Sequence, residues 1–377
     1  MKIKYTGPAK DYSGYGEAVR HDIAALITGG IDVTTEIPVY TPQFSDFGRL
    51  GEMAVERENK PLGYKIKILH TTPNVYQNYM EFDKYHIGRA FWETDKVPLE
   101  FASNLQAVDE IWTGSEYNAQ AIRNAGVTKP IYIIPEAIED NLNIEEIQPF
   151  LTDCDTDFKF YSIFEWTERK NPKALLEAYW RAFEGKKGVS LIIKTYVDNF
   201  KDDKKREIDL EIRKLKARLA LKSYAPVYMY RNLMDRRHIY RFHKTGDCFV
   251  SLHRGEGWGI PQMEALLLER PIISTNVGGV HEYLTHKKDA ILIPYTLKPV
   301  DNSRNKQWYT PDQKWAQADV EAAIEAMRWV FKNKDKAKKM GKAGRKRIIE
   351  ISGLKAVGNK MRERLYEINK GFIKLEQ

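Results

Sequence analysis

The chain has 377 residues, of which 42% are hydrophobic and 12% aromatic, and its 60 Lys and Arg against 52 Asp and Glu give a net charge of +8. This length favours two domains, because single hydrophobic cores stop growing near roughly 250–300 residues, and the apolar content excludes a chain that is disordered throughout. The apolar runs are too short to cross a bilayer, the N-terminus lacks the pattern of a signal peptide, and two cysteines cannot form a disulfide framework. The sequence therefore predicts a cytoplasmic protein.

Strands and helices alternate along the first part of the chain. The pattern predicts strands at residues 3–6, 32–37, 64–70, 86–92, 110–113 and 131–134, with helices at 16–28 and 116–124. Short apolar runs separated by helical patterns indicate βαβ units and a mainly parallel sheet. Residues 135–157 are acidic and polar, contain two prolines, and are predicted to form an interdomain linker.

The same alternation restarts after this linker. It predicts strands at residues 158–164, 190–195, 226–230, 247–252 and 271–275, and helices at 171–183, 201–219 and 260–268. Residues 320–373 have a helical pattern too long for one helix, and four glycines are predicted to divide it into three: Gly341, Gly344, Gly353 and Gly358.

The resulting fold class is α/β, with two Rossmann-like doubly wound domains facing each other across a cleft. The N-terminal domain is predicted over residues 1–137, completed by about 353–377, and the C-terminal domain over 155–352. One large α/β domain with a helical appendage is the alternative.

Positive charge is dense in residues 201–218 and 331–364. A solvated helix surface accounts for such segments, and a surface that contacts a polyanion, such as nucleic acid or an anionic membrane, is the alternative. Charge alone does not distinguish these two interpretations.

A glycine-rich loop, Arg254-Gly255-Glu256-Gly257-Trp258-Gly259, follows one predicted strand and precedes a helix. The glycines allow close approach of the backbone, and the unpaired N–H groups at a helix start suit a phosphate. Glu256 and Glu264 are separated by seven residues, and a carboxylate can accept hydrogen bonds from two neighbouring sugar hydroxyls. The alternative is structural, with the glycines turning the chain and Glu264 complementing the helix dipole.

Two adjacent cations, Arg169 and Lys170, lie between the strand predicted at 158–164 and a helix that begins near Pro172. Lysine supplies a compact charge and arginine a bidentate fork, so the pair can neutralise a diphosphate at the carboxyl end of a strand. An exposed pair of cations is also common on protein surfaces.

Together these motifs resemble the glycosyltransferases of family 4, which are retaining enzymes of the GT-B fold. The resemblance covers roughly residues 1–285 and is carried by Glu256…Glu264 with its loop, Pro271-Ile272-Ile273, Gly278-Gly279…Glu282, Arg169-Lys170-Asn171-Pro172, Gly14-Tyr15-Gly16, Trp92-Glu93-Thr94-Asp95 and Val108-Asp109-Glu110-Ile111-Trp112. Glu269, Glu165 and Glu136 replace residues frequent in the family, which leaves the identity of the donor open.

The resemblance implies transfer of a sugar from a nucleotide-diphosphate sugar to a saccharide or other hydroxyl acceptor. It assigns the donor ribose to Glu264, the transferred sugar to Glu256, and the departing diphosphate to Arg169 and Lys170. The sugar and phosphate would be cradled by the backbone N–H groups of Gly257, Trp258, Gly259 and Ile260.

The remaining assignments concern the edges of the site. Gly14 and Gly16 would let the first loop close over the diphosphate, and Arg231 would approach the nucleotide base. Glu93 is the candidate on the acceptor side, with a cap of the following helix as the alternative.

No resident cofactor and no catalytic metal is expected. Asp155-Thr156-Asp157 spells the Asp-x-Asp motif that binds manganese in another glycosyltransferase fold, but here it ends the linker, and no His or Cys spacing suits zinc. The expected partners are a nucleotide sugar, taken to be a UDP-sugar, and a saccharide or glycolipid acceptor.

Two other functions stay open. Rings interleaved with cations suit stacking on a flipped or single-stranded base, which keeps open a DNA glycosyltransferase acting on hydroxymethylated bases, but they suit a sugar ring equally well. Ordinary packing is the simplest explanation of the same rings: Tyr40, Phe44, Phe47, Tyr64, Tyr76 and Tyr79. A non-catalytic nucleotide-sugar-binding protein is the second alternative.

Overall fold

The structure, a computed structural model, describes residues 1–39, 47–197, 202–301 and 305–375. It divides into two compact units, unit 1 with Met1–Leu142 and Ile349–Gln377, and unit 2 with Asn143–Ile348. Each unit contains a six-stranded sheet in which all neighbouring strands are parallel. The prediction of an α/β fold with two Rossmann-like domains is therefore confirmed.

Unit 1 has the strand order β2-β1-β3-β4-β5-β6. Its strands are β1 (Lys2–Thr6), β2 (Asp32–Glu36), β3 (Ile66–Leu69), β4 (Tyr85–Arg89), β5 (Glu110–Thr113) and β6 (Ile131–Ile133). Its helices are α1 (Gly14–Thr28), α2 (Gly48–Val55), α3 (Leu99–Leu105) and α4 (Glu116–Asn124), with a 3₁₀ helix at Pro73–Asn78. All four residues of β3 are buried, as in a strand covered on both faces.

The last helix of the chain, α11 (Leu354–Leu375), packs on α1 in unit 1. Val357, Met361 and Leu365 are fully buried and join the hydrophobic core of this unit. A Cβ atom at Gly358 would lie 2.1 Å from the carbonyl oxygen of Ala25, so glycine permits the close crossing of the two helices. None of the helices in the described part of the chain is long and apolar enough to span a membrane.

Unit 2 has the strand order β12-β11-β10-β7-β8-β9. Its strands are β7 (Phe158–Glu165), β8 (Val189–Tyr196), β9 (Val227–Tyr230), β10 (Cys248–Ser251), β11 (Ile272–Thr275) and β12 (Ala290–Ile293), and a hairpin of β13 (Tyr295–Pro299) and β14 (Lys314–Ala318) follows. Its helices are α5 (Pro172–Ala182), α6 (Asp202–Leu219), α7 (Arg236–Thr245), α8 (Ile260–Leu267), α9 (Val320–Lys332) and α10 (Lys334–Ser352), with a 3₁₀ helix at Gly279–Glu282.

The order of strands in unit 2 reverses between β7 and β10, which are neighbours. From β7 the chain continues to β8 on one side, whereas β10 pairs with β7 and with β11 on the other. The loops that leave the carboxyl ends of β7 and β10 therefore start side by side. In open α/β sheets this switch point is where ligands bind.

The prediction that four glycines divide the C-terminal helical stretch is wrong for three of them. The breaks fall at Asn333 and Gly353, and Gly341, Gly344 and Gly358 lie inside helices. A Cβ atom at Gly341 would lie 2.2 Å from the carbonyl oxygen of Glu269, and one at Gly344 would lie 2.4 Å from Leu266 Cδ2. These glycines permit close packing, which a single-sequence pattern does not distinguish from a helix end.

Residues 143–154, which fall within the predicted linker, are part of unit 2. The backbone N–H of Phe150 donates to the carbonyl of Arg241 at 3.1 Å and to Thr245 Oγ1 at 2.8 Å. The Phe150 ring also contacts Tyr230 and Phe242, with centroid distances of 5.5 and 6.2 Å. The segment is therefore held by α7, a helix that the sequence pattern did not predict because it is basic and poor in aliphatic residues.

Two glycines of α11 give a matched test of the α1–α11 crossing. Gly358→Ala should lower the free energy of unfolding by about 1–3 kcal/mol, because the new methyl group overlaps the backbone of α1. Gly371→Ala should raise it by about 0.5–1 kcal/mol, since nothing lies within 4 Å of that Cβ position and alanine favours a helix. Urea unfolding followed by circular dichroism measures both, and equal stability of the two variants would contradict the packing.

Candidate active site

The loops after β7 and β10 are joined by direct hydrogen bonds. The backbone N–H of Arg254 donates to the carbonyl of Arg169 at 2.7 Å, and Asn171 Nδ2 donates to the carbonyl of Leu252 at 3.0 Å. Asn171 has a φ of +54° and precedes Pro172, the first residue of α5. Because asparagine tolerates this left-handed conformation better than most residues, it can end the loop after β7 while its side chain holds the loop after β10.

Arg169, Lys170 and Glu256 come together where these loops meet. Lys170 Nζ lies 2.5 Å from Glu256 Oε1, and Arg169 Nη1 lies 3.2 Å from Glu256 Oε2. Burial alone would raise the pKa of Glu256, but the positive charges of Lys170 and Arg169 outweigh burial and lower that pKa to about 2. Glu256 is therefore ionised at neutral pH, and each of its oxygens holds one cation in place.

The segment after Glu256 presents four backbone N–H groups in succession, those of Gly257, Trp258, Gly259 and Ile260. Within the described part of the chain these groups donate to no acceptor, although Gly257, Trp258 and Gly259 are buried. Gly259 has a φ of +98° and leads directly into α8. Buried N–H groups without partners are rare in proteins, and a row of them at a helix start is an anion-binding arrangement.

The shape of this loop is fixed from behind by Gly278 and Gly279. A Cβ atom at Gly278 would lie 2.3 Å from the carbonyl oxygen of Glu256, and one at Gly279 would lie 2.2 Å from that of Gly257. The Tyr283 hydroxyl donates to the carbonyl oxygens of Trp258 and Gly259 at 3.0 and 3.1 Å. These contacts engage the carbonyl groups of the loop and leave its N–H groups unpaired.

Glu264 lies in the second turn of α8 and is 2% exposed. One carboxylate oxygen contacts His243 Nε2 at 3.1 Å, and the other binds the Arg236 guanidinium. Burial lowers the pKa of His243, so its imidazole is neutral at pH 7; its Nε2–H donates to Glu264 and its Nδ1 accepts from the Tyr161 hydroxyl at 3.0 Å. The carboxylate is therefore held in a fixed orientation by partners that the sequence analysis missed.

Arg236 and His243 both belong to α7, and a signal for them is present in the chain. Asp235 accepts a hydrogen bond from the His238 N–H and caps this helix. An acidic cap followed by alternating cations and rings indicates a short amphipathic helix. Its weak aliphatic pattern is the reason that it was not predicted.

Arg231 lies after β9, apart from the Glu256 cluster in its contacts. Its guanidinium binds the carboxylate of Asp209 on α6, with Nη1 3.3 Å from Oδ2. The hydrogen bond from Arg231 lowers the pKa of Asp209, which keeps this ion pair charged. Contact of Arg231 with a nucleotide base stays a prediction.

The predicted residues of unit 1 lie at the start of α1 and in the loop after β4. Gly14 and Gly16 begin α1, where Ser13 Oγ accepts from the N–H groups of Tyr15 and Gly16. A Cβ atom at Gly16 would lie 2.2 Å from the carbonyl oxygen of Asp11, so this glycine has a packing role whatever else it does.

Glu93 is half-buried in the loop after β4, and its carbonyl accepts from the Tyr117 hydroxyl at 3.4 Å. The next helix, α3, begins at Leu99 with Pro98 at its cap. The alternative role of Glu93 as a cap of that helix is therefore wrong, because the helix begins six residues later.

His70 follows β3 in unit 1 and is fully buried. Its Nδ1 lies 2.5 Å from the hydroxyl of Tyr5, which donates to Asp22, and Asp22 in turn binds Arg89 at 2.8 Å. Burial and the charge of Arg89 lower the pKa of His70, and its Nε2 has no hydrogen-bond partner among the described residues.

No group of three His, Cys, Asp or Glu side chains within residues 1–39, 47–197, 202–301 and 305–375 could hold a metal ion. Positive charge at the candidate site of unit 2 is instead supplied by Arg169, Lys170 and the start of α8. These groups suit the phosphates of a nucleotide.

Residues 143–299 match the family model described as "Glycosyl transferases group 1". The matched segment contains Arg169, Lys170, Glu256 and Glu264, and therefore the whole candidate site of unit 2. A search of curated protein sequences found no match.

Solved glycosyltransferase structures resemble the chain along most of its length. HepE of Anabaena, solved in complex with UDP and glucose, is 14% identical and gives a TM-score of 0.65. The match covers 97% of this chain and 100% of the HepE chain. Sucrose-phosphate synthase of Thermosynechococcus elongatus is 15% identical, with coverages of 98% and 100% and a TM-score of 0.67. The pneumococcal O-GlcNAc transferase GtfA, solved with UDP and GlcNAc, is 13% identical, with coverages of 80% and 56% and a TM-score of 0.56.

These likenesses show that the chain has the GT-B fold.

The low pKa of Glu256 can be tested by measuring how the stability of the fold depends on pH. Because the pKa lies near 2 in the folded chain and near 4.5 for a free side chain, the ion pairs stabilise the fold above pH 4.5 and lose this effect as pH falls toward 2. The stability advantage of the wild type over Glu256→Gln should therefore shrink by about 2 kcal/mol between pH 6 and pH 3, as measured by urea unfolding.

The matched control is Glu325→Gln on α9, an exposed glutamate that forms no ion pair with a described residue. Its difference from the wild type should stay constant over the same pH interval. An equally constant difference for Glu256→Gln would show that the two cations do not hold its charge.

Proposed function

We propose that the protein is a retaining glycosyltransferase that moves a sugar from a nucleotide-diphosphate sugar to a hydroxyl group of a saccharide. The observation that carries the proposal is the meeting of Arg169, Lys170 and ionised Glu256 beside four unpaired backbone N–H groups at the switch point of unit 2. This arrangement offers positive charge to a diphosphate and a carboxylate to sugar hydroxyls within one small region.

In the proposed reaction the bond between the anomeric carbon and the diphosphate oxygen breaks while the acceptor oxygen bonds to the same carbon. Negative charge grows on the departing diphosphate, and Arg169, Lys170 and the N–H groups before α8 stabilise it there. The acceptor hydroxyl transfers its proton to the departing diphosphate, so no separate protein base is needed. Glu256 accepts hydrogen bonds from hydroxyls of the transferred sugar.

Glu264 is proposed to hold the donor ribose. Its carboxylate is oriented by Arg236 and His243, and such a fixed acceptor loses little conformational entropy when it binds two neighbouring hydroxyls. Arg231 is proposed to approach the base, and Gly14, Gly16 and Glu93 are proposed to serve the diphosphate and the acceptor from unit 1.

We further propose that the reaction needs no metal ion. The two cations and the helix start already supply the charge that a divalent ion supplies in other phosphate sites. Activity in a buffer that contains EDTA tests this point.

The donor and acceptor are proposed from the comparisons. HepE and GtfA were each solved with UDP and a sugar, which supports a UDP-sugar donor and a saccharide acceptor. The comparisons give no support to a DNA acceptor.

The rings on which the DNA alternative depended have other contacts or lie outside the described residues. Tyr40 and Phe44 lie outside the described residues. Tyr64 donates to Glu81 at 2.8 Å, and Tyr76 is fully buried with its hydroxyl on the Arg89 carbonyl. Ordinary packing in unit 1 therefore explains these two rings.

Lys170→Ala should lower kcat by about 10²-fold or more, because the departing diphosphate loses a charge that stabilises the transition state. Lys173→Ala is the matched control, since Lys173 lies three residues along the chain and its side chain is 54% exposed. The measurement is the release of UDP from UDP-sugars with EDTA present, and Lys173→Ala should stay within about twofold of the wild type.

Equal activities of the two variants would remove Lys170 from the proposed role. Absence of UDP release by the wild type with every donor and acceptor tried would favour a non-catalytic nucleotide-sugar-binding protein. Binding of UDP by calorimetry would then remain measurable and would weaken in Lys170→Ala.

The stereochemical outcome is tested on the product. We expect the new glycosidic bond to have the same anomeric configuration as the donor, which proton NMR reports through the coupling constant of the anomeric proton. An inverted product would contradict the retaining assignment and leave the donor site unchanged.

A further inference from the structure

The net charge of the protein is concentrated in one short segment. Residues 332–347, which end α9 and form most of α10, contain nine Lys and Arg and one Asp, a net charge of +8. That value equals the net charge of the whole chain, so outside this segment positive and negative side chains are equal in number, at 51 each. The basic character of the protein is therefore a property of this one segment.

Seven lysines of this segment are exposed. Lys334 lies over the rings of Phe158 and Phe331, and the other six are called here the α10 basic face: Lys332, Lys336, Lys338, Lys339, Lys342 and Lys346. None of them forms an ion pair in the described part of the chain. Some surface cations elsewhere have partners, as Arg218 does with Glu177 at 2.6 Å. The basic face thus keeps its charge available.

The lysines of this face repel one another and so destabilise the helix. Lys338, Lys342 and Lys346 follow one another at intervals of four residues, and like charges at that spacing destabilise a helix. A surface that serves only solubility mixes both signs and avoids this repulsion. The concentration of one sign is therefore unfavourable unless a partner neutralises it.

Helix α10 is held rigidly on unit 2 by its opposite side. Gly341 and Gly344 allow it to approach Glu269 and Leu266, and Arg345 Nε donates to the Leu267 carbonyl at 3.0 Å. Arg347 Nε donates to the carbonyl of Tyr283, the residue whose hydroxyl supports the loop of the candidate site. The basic face is thus presented by a fixed helix adjoining that site.

Two features argue for a nucleic-acid duplex as the partner and against a membrane. The apolar residues Ala337, Met340 and Ile348 are buried, and no large apolar side chain of α10 is exposed, so the helix has nothing to insert among lipids. At about 100° per residue, Lys336 and Lys338 lie about 160° apart around the helix axis, with Lys342 and Lys346 between them. A flat surface meets only part of such an arc, whereas a helix in the major groove has phosphates on both flanks.

We propose that the α10 basic face binds the phosphate backbone of double-stranded nucleic acid, without reading its sequence. The helix has 19 residues, so its length of about 28 Å spans most of one turn of duplex. The proposal goes beyond glycosyl transfer and does not depend on it, since it concerns a surface outside the donor site.

The test compares two variants of the full chain that each lose four positive charges. Lys336, Lys339, Lys342 and Lys346 are changed to Gln in the first, and Lys186, Lys187, Lys214 and Lys222, which are exposed elsewhere on unit 2, are changed to Gln in the second. Binding of a labelled random-sequence DNA duplex is followed by fluorescence anisotropy at several salt concentrations, and thermal unfolding checks that both variants are folded.

The first variant should bind about tenfold or more weakly, and its slope of log K against log salt should fall by about 3–4, since each lost phosphate contact contributes about 0.9. The second variant should keep a slope close to that of the wild type. Equal losses in both variants, or no binding by the wild type, would overturn the proposal. Displacement of the duplex by phosphatidylglycerol vesicles at equal phosphate concentration would also overturn it, in favour of a membrane surface. Sugar transfer plays no part in this measurement.

Discussion

The candidate site depends on one buried carboxylate that is shared between two cations. Glu256 comes from the loop after β10, whereas Arg169 and Lys170 come from the loop after β7. Leaving any of the three charges unpaired in this buried position would cost several kcal/mol, so each loop fixes the other. Two hydrogen bonds also join these loops, from the Arg254 N–H to the Arg169 carbonyl and from the Asn171 side chain to the Leu252 carbonyl.

The site combines the two cations with Glu256, and the N–H groups before α8 add partial positive charge. Gly278 and Gly279 let the segment that contains Tyr283 pack closely against the loop before α8. That segment contacts carbonyl groups of the loop, as the Tyr283 hydroxyl does, and leaves the N–H groups of the loop without acceptors. The unpaired N–H groups of the loop are therefore held in an arrangement that suits an anion.

Charge has two distinct uses in unit 2. At the switch point, opposite charges are buried, paired and oriented, which favours recognition of a small ligand. On α10, like charges are exposed and unpaired, which favours a long polyanion whose binding releases counterions. Arg347 belongs to the second region in sequence but contacts Tyr283 behind the first, so the two regions share a structural support.

Much of the fold and of the candidate site could be predicted from the sequence. Strands such as β5 and helices such as α4 were predicted with the bounds that the structure has, because their apolar periodicity and the Ser115 cap are local signals. Arg169, Lys170, Glu256 and the loop before α8 were singled out by the residue types that phosphates and sugar hydroxyls require. These residue types occur within short motifs, so they can be recognised without knowledge of the fold.

Other features were decided by the tertiary structure alone. Gly341, Gly344 and Gly358 looked like helix breaks, yet each faces the backbone or a side chain of a segment far away in the sequence. Helix α7 has a weak local pattern but supplies Arg236 and His243, and only folding brings them to Glu264. The sequence by itself determined which residues could do chemistry and where strands and helices alternate, because those depend on side-chain type and local periodicity. The tertiary structure decided which glycines break a helix and which allow close packing. It also decided which cations hold which carboxylate, because both depend on contacts between distant segments that no local pattern encodes.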